Sequence, residues 1–214
     1  MKYGLECEFF VAKAGVNPYA FIGGLDQSLT PDECGFLAEA RGQPHDNIRE
    51  AVFSLMADVY RLELAASKLD VELVQVPNAV VPYSEVLKSR RLHSKGLLQF
   101  QNYLGYESHK LRSKKTAGIH ISVTSPIMYW GGDMEYGEEN TTFKAKEKHY
   151  NSVWDFPQMF RYFDAAFQKE IKEAGRNPGF YEIKRDGRVE YRSLPNTVDL
   201  KKIIATVESF NENR

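Results

Sequence analysis

An α+β fold, in which a mostly antiparallel sheet is covered by helices on one face, is what three features of the sequence predict. Four short segments alternate polar with apolar residues at the two-residue period of strands. Longer stretches carry apolar residues at helical spacing, and a late Asp186-Gly187 joins two alternating runs as a hairpin would.

The four alternating segments are GLECEFF, with Glu6 and Glu8; GFLAEAR, with Glu39 and Arg41; AGIHISV, with His120 and Ser122; and VEYRSL, with Glu190 and Arg192. The first two are expected over roughly 3–11 and 35–41. The opposite faces carry Leu5, Cys7 and Phe9; Phe36, Ala38 and Ala40; Ile119, Ile121 and Val123; and Val189 and Tyr191. That apolar side needs a helical layer. Asp46 is placed to cap a long helix ending near Leu69, with Ile48, Val52, Leu55, Val59 and Leu62 as its buried stripe. VELVQV at 71–76 reads as a further strand, bounded by Pro77. Ser84 is placed to cap a helix through about Tyr103 whose Lys88, Arg90, Arg91 and Lys95 form a solvated face or, as the alternative, a phosphate contact at the rim of the cleft. Asp155 is expected to cap a helix to Ala174, closed by Gly175, with Phe156, Phe160, Phe163 and Phe167 on neighbouring faces. A last helix is expected from about Val198 to Phe210. Residues 126–153, rich in Gly, aromatic and acidic residues, lack an element of their own and read as a mobile loop or lid.

A single strand with a polar side is an ordinary solvated strand. Four of them differ, because Glu is depleted in strands and none of the paired positions is the Lys expected of a wet surface. If the strands share one sheet, their polar face gathers four carboxylates, two guanidinium groups and an imidazole, with a formal surplus of two negative charges. Clustered like charges are costly unless neutralised, so the face points to a bound divalent cation. Oxygen ligands favour Mg²⁺ or Mn²⁺, and the closely spaced Cys and His of a structural zinc site are missing. Carboxylates, Mg²⁺ and Arg together suit phosphoryl transfer.

Other classes are disfavoured. The 214 residues carry a net charge of -1, and a pI near 6.5 leaves no electrostatic footprint for nucleic acid. The basic run at Arg112, Lys114 and Lys115 is expected to be a solvated loop. Gly23-Gly24 lacks the following Lys-Ser or Lys-Thr of a phosphate-binding loop, and no serine elbow or Cys-His pair is evident. Cys7 and Cys34 read as reduced thiols. With no signal-peptide pattern and no membrane-length apolar stretch, a cytoplasmic protein without a membrane partner is expected.

Glu-x-Glu on an opening strand, Ala-Gly-x-His on a middle strand and Glu-x-Arg followed by Leu-Pro on a late strand resemble, in that order, the phage-type amidoligases, carboxylate-amine ligases of the glutamine synthetase and glutamate-cysteine ligase superfamily. The similarity runs from Gly4 to about Leu200. It implies a single catalytic domain over 1–214, a glutamine synthetase-like half-barrel, and ATP-dependent joining of a small-molecule carboxylate to an amine through an acyl phosphate, with ATP and Mg²⁺ (or Mn²⁺) bound. By the same resemblance Glu8, Glu39 and Glu190 are metal ligands, with Glu6 beside them as a further ligand or as a group that supports one. His120 contacts the nucleotide phosphates or their metal, Arg192 steadies the transferred phosphoryl group, and Arg41 orients a phosphate or the substrate carboxylate. Ser122 stands where larger members carry a second histidine. Asp133, Glu135 and Glu138 are candidates by location for the base that deprotonates the amine. Asp26, Arg90, Arg91 and Arg112 are candidates for the nucleotide cleft, while His45, His93, His109 and His149 read as structural or exposed. The alternative readings are a binding relative that makes no bond and a metal-dependent hydrolase or nuclease using the same carboxylates.

Overall fold

The four polar-faced strands are neighbours in one antiparallel sheet. The computed structural model describes residues 2–32, 37–82, 84–85, 88, 114–124, 155–183 and 188–213. In that sheet β1 (Lys2–Lys13) lies between β2 (Leu37–Arg41) and β6 (Gly118–Thr124), followed by β8 (Val189–Pro195) and β7 (Tyr181–Ile183). The sixth strand, β3 (Val71–Val74), pairs with the far end of β1 from Phe10 to Lys13.

One face of the sheet carries the main core. Leu5, Cys7, Phe9, Ala38, Ala40, Ile119, Ile121, Val123, Val189 and Tyr191 all point into it, as their alternation requires. Phe36 lies outside the described residues. Four helices contribute: α1 (Ile48–Lys68), α2 (Asp155–Ala166), α3 (Gln168–Glu173) and α4 (Leu200–Glu212). On α1 the buried positions Ile48, Ala51, Val52, Leu55, Leu62 and Ala66 repeat at helical spacing. Its cap is Asn47 rather than Asp46, because the Asn47 side chain accepts the Arg49 N–H at 2.7 Å. Gly42 lets the end of β2 approach this helix, since a Cβ there would stand 2.8 Å from the Leu55 nitrogen.

The helix expected from Asp155 to Ala174 is two helices. Phe167 leaves helical geometry at φ -112, and its fully buried ring lies 6.1 Å from that of Phe163. Burial of that ring outweighs helix continuity. Phe160 and Phe163 stack on Tyr191 at 5.0 and 5.5 Å, and the Tyr191 hydroxyl donates to Asp164 Oδ1 at 2.5 Å. Gly175 closes the segment with φ +65, as its position after the last helical residue suggests. The last helix begins at Leu200 rather than Val198, capped by Asp199, which accepts the Lys201 N–H.

The second core is new. Phe10 and Ala12 continue the face of Glu6 and Glu8, and they pack with Leu37, Val74, Ala79, Val81 and Ala117. A two-stranded sheet, β4 (Asn78–Val80) with β5 (Lys114–Thr116), runs beside this patch, so the backbone of Lys114 and Lys115 is in a strand rather than a loop. The carboxylate face therefore ends in an apolar wall. The strand expected at 71–76 pairs only over 71–74. Of the basic helix expected from Ser84, only Ser84, Glu85 and Lys88 are described, and all are helical. The loop at 126–153, Asp186-Gly187 and Cys34 lie outside the described residues. Among those described, no helix is long and apolar enough to cross a membrane.

Candidate functional site

Strand register brings the polar residues together. Glu6 stands directly opposite Arg41 on one side and His120 on the other, Glu8 opposite Glu39, and Ser122 opposite Glu190. Residues opposite one another on the same face of adjacent strands have touching side chains. Atoms of Glu6, Glu39 and His120 all lie within 4.8 Å of one another. His120 faces further carboxylates: its Nδ1 is 3.8 Å from both Glu6 and Glu190, and its Nε2 is 3.9 Å from Glu8. These separations exceed hydrogen-bond length. The His120 ring is 2% exposed, and its Nε2 has no hydrogen-bond partner among the described residues.

The carboxylates divide their work. Glu39 is held by Arg41, whose Nε donates at 2.9 Å and whose Nη2 also contacts it. Burial and the neighbouring Glu6 carboxylate nevertheless push Glu39 up to about 8. Glu6 goes the other way: burial raises it, but the adjacent polar groups of His120 and Glu39 and the charges of His120 and Arg41 outweigh this and bring it to about 2. The pair shares one proton near neutral pH, as two carboxylates in one site must. Glu8 accepts the Gly118 N–H at 2.8 Å, and Glu190 accepts the Ser122 hydroxyl at 3.2 Å. Arg192 Nη1 lies 3.4 Å from Glu190 and 2.5 Å from Glu182 on β7.

Arg192 shares this face with Glu190 by alternation, and immediately after it β8 carries a bulge. Ile119 pairs with Leu194 and Ile121 with Tyr191, so Arg192 and Ser193 together oppose His120. The extra residue lets both Tyr191 and Leu194, three apart, sit in the core while Glu190 and Arg192 approach the site. Arg176 fastens the bulge. Its guanidinium donates from Nη1 to the Ala117 carbonyl at 3.0 Å and from Nη2 to the Arg192 carbonyl at 2.8 Å, tying β6 to β8 beside His120. Room for it exists only because residue 118 is glycine: a Cβ there would meet Arg176 Nη2 at 2.7 Å. Asn196, fully buried, donates to the Glu8 carbonyl at 2.9 Å from the strand's end.

All eight residues singled out by alternation thus share one face: Glu6, Glu8, Glu39, Arg41, His120, Ser122, Glu190 and Arg192. Arg41 is more than half exposed and Arg192 about a third, so their outer edges face solvent. Other candidates have different work. Asp26 caps a short helical turn, Gln27–Leu29, by accepting the Ser28 N–H. His45 contacts Glu50 at 3.5 Å, and its backbone bonds with Tyr3. Gly23 donates its N–H to Glu85. Cys7 is in the core, where burial and the nearby Glu8 and Glu39 charges push its thiol far up and leave it inert. Arg90, Arg91, His93, His109, Arg112, Asp133, Glu135, Glu138 and His149 lie outside the described residues. Arg176 and Asn196 were not foreseen. The Pro195-Asn196 step at the strand's end is a local signal for the second, whereas Arg176 sits in a helix-ending turn that no pattern singles out. No family model, curated protein or solved structure matches the chain.

Proposed function

We propose that this chain is an ATP- and Mg²⁺-dependent carboxylate-amine ligase, built on a glutamine synthetase-like half-barrel and acting on small molecules through an acyl phosphate. What supports the reading is the juxtaposition, on one face of four adjacent strands, of an oxygen-rich cluster around the buried His120 with the outward-reaching Arg41 and Arg192. The donor set fits a hard divalent cation: Glu6, Glu39 and His120 would hold it, with Glu8 and Glu190 flanking His120. The orphaned His120 Nε2 and the proton shared by Glu6 and Glu39 both mark a site in need of positive charge.

In the reaction, a substrate carboxylate oxygen attacks the γ-phosphorus of ATP, the bond to the β,γ-bridging oxygen breaks, and ADP leaves. An amine nitrogen then attacks the acyl carbon, the carbon–oxygen bond to the phosphoryl group breaks, and phosphate leaves as the nitrogen loses a proton. Bound Mg²⁺ would withdraw charge from the attacking and leaving oxygens. Arg192, oriented by Glu182 and Glu190, presents a fixed guanidinium to the phosphoryl group in transfer. Arg41, anchored by Glu39 and more than half exposed, presents its guanidinium to a phosphate or to the substrate carboxylate.

The test is incubation with MgATP and a pool of amino acids, polyamines and small carboxylic acids, followed by phosphate assay and mass spectrometry. A ligase gives substrate-dependent phosphate and a product lighter than its two parents by the mass of water. Phosphate without such a product would make the chain a hydrolase. Binding of MgATP without turnover would make it a binding protein.

Cation binding should also depend on pH. Glu39, held near 8, keeps a proton at neutral pH that an incoming cation must expel, whereas Glu6, held near 2, is already ionised. Apparent Mn²⁺ affinity should therefore rise by up to about tenfold per pH unit between about pH 6 and 8 and level off above, with proton release. Calorimetry in buffers of different ionisation enthalpy checks this. A flat profile would remove the Glu6 and Glu39 pair from the cation site.

A further inference from the structure

The outer face of α1 does not look like the surface of a monomer. Phe53 is 69% exposed, Met56 51%, Tyr60 62% and Leu64 47%. Their spacing of three, four and four residues puts them on one stripe of the helix, turned away from the positions that α1 buries against the sheet. Scattered exposed apolar residues need no explanation, but four large ones in a row along one helix mark a contact surface.

The stripe is self-complementary. Laid antiparallel against itself about a two-fold axis near residue 58, it sets Phe53 against the partner's Leu64 and Met56 against the partner's Tyr60. In antiparallel helix pairs like flanks face each other. Glu50 and Lys68 lie on the same flank at the two ends of the stripe, so this register brings each Glu50 to the Lys68 of the other copy. Both are exposed, Glu50 with 63% of its side chain in solvent beside His45 at 3.5 Å. In a parallel pairing unlike flanks face each other, so the two Glu50 and the two Lys68 would lie on opposite sides of the seam and this charge pair could not form.

We infer that the chain forms a two-fold homodimer through the outer stripe of α1, Phe53, Met56, Tyr60 and Leu64, with Glu50 of each copy meeting Lys68 of the other. Because α1 covers the apolar face of the sheet, this contact lies on the other side of the sheet from the carboxylates. The dimer is independent of the catalytic reading. A single helix pair is a small interface, so a dissociation constant on the order of micromolar is expected.

Sedimentation velocity of the full chain over a concentration series tests this. The wild-type protein should pass from monomer to dimer, and Phe53→Glu or Met56→Lys should raise the dissociation constant by about tenfold or more while the circular dichroism stays unchanged. Lys68→Glu alone should weaken the dimer, and Glu50→Lys with Lys68→Glu should restore it. A wild-type protein monomeric throughout, or a dimer indifferent to Phe53→Glu, overturns the inference and leaves the stripe to another segment or another partner. A dimer lost on Phe53→Glu but not rescued by the charge swap overturns the antiparallel register.

Discussion

Replacing Glu6 with Gln is expected to weaken Mn²⁺ binding by at least about a hundredfold and to abolish any ATP turnover, with Glu39→Gln close behind. Glu6 faces His120 from one side and stands beside Glu39 on the other, so its charge is central to the cluster. The Glu39 variant separates binding from folding. Glu39 already holds a proton at neutral pH, so its neutral replacement should leave the unfolding transition there nearly unmoved. Asp26→Asn, a change at a cap remote from the cluster, should leave affinity untouched. Calorimetric titration with Mn²⁺ decides the matter: wild-type affinity in both Glu variants would dissolve the cation site.

The largest effect on stability is expected at the clamp across the bulge. Arg176→Met removes both donors and leaves the Ala117 and Arg192 carbonyls without them, a cost of about 2–5 kcal/mol. Gly118→Ala drives a Cβ to 2.7 Å from Arg176 Nη2 and 2.9 Å from the Leu194 carbonyl oxygen, for about 1–3 kcal/mol. The two changes act on one contact, so the double variant should lose less than the two separately. Urea unfolding of the four proteins measures this. Single-variant losses below about 0.5 kcal/mol would show that Arg176 is an ordinary surface residue.

Much of this arrangement was legible because a strand's two-residue period commits every side chain to a face. Once Glu6, Glu8, Glu39, His120, Glu190 and Arg192 were paired at that period, only the adjacency of their strands remained open, and the order β2-β1-β6-β8 supplies it. The antiparallel sheet with helices on its apolar side followed from the same alternation. What the pattern hid came from longer range. The double phenylalanine Phe9-Phe10 belongs to two cores on opposite faces, which alternation alone reads as one. The end of α2 at Phe167 was set by packing against Phe163, which overrides a continuous helical pattern. Arg176 joins strands 59 and 16 residues away, and nothing in its own neighbourhood announces that.

The bulge in β8 also governs what this strand can become. Because Arg192 and Ser193 share one place opposite His120, the strand keeps two faces in different phase on either side of that place. Exchanging a side chain there alters a contact. Removing a residue there would bring the phases into step and turn either Tyr191 or Leu194 out of the core. The stretch from Val189 to Pro195 can therefore vary in composition but not in length, so its count of residues is as much a part of the site as its Glu and Arg.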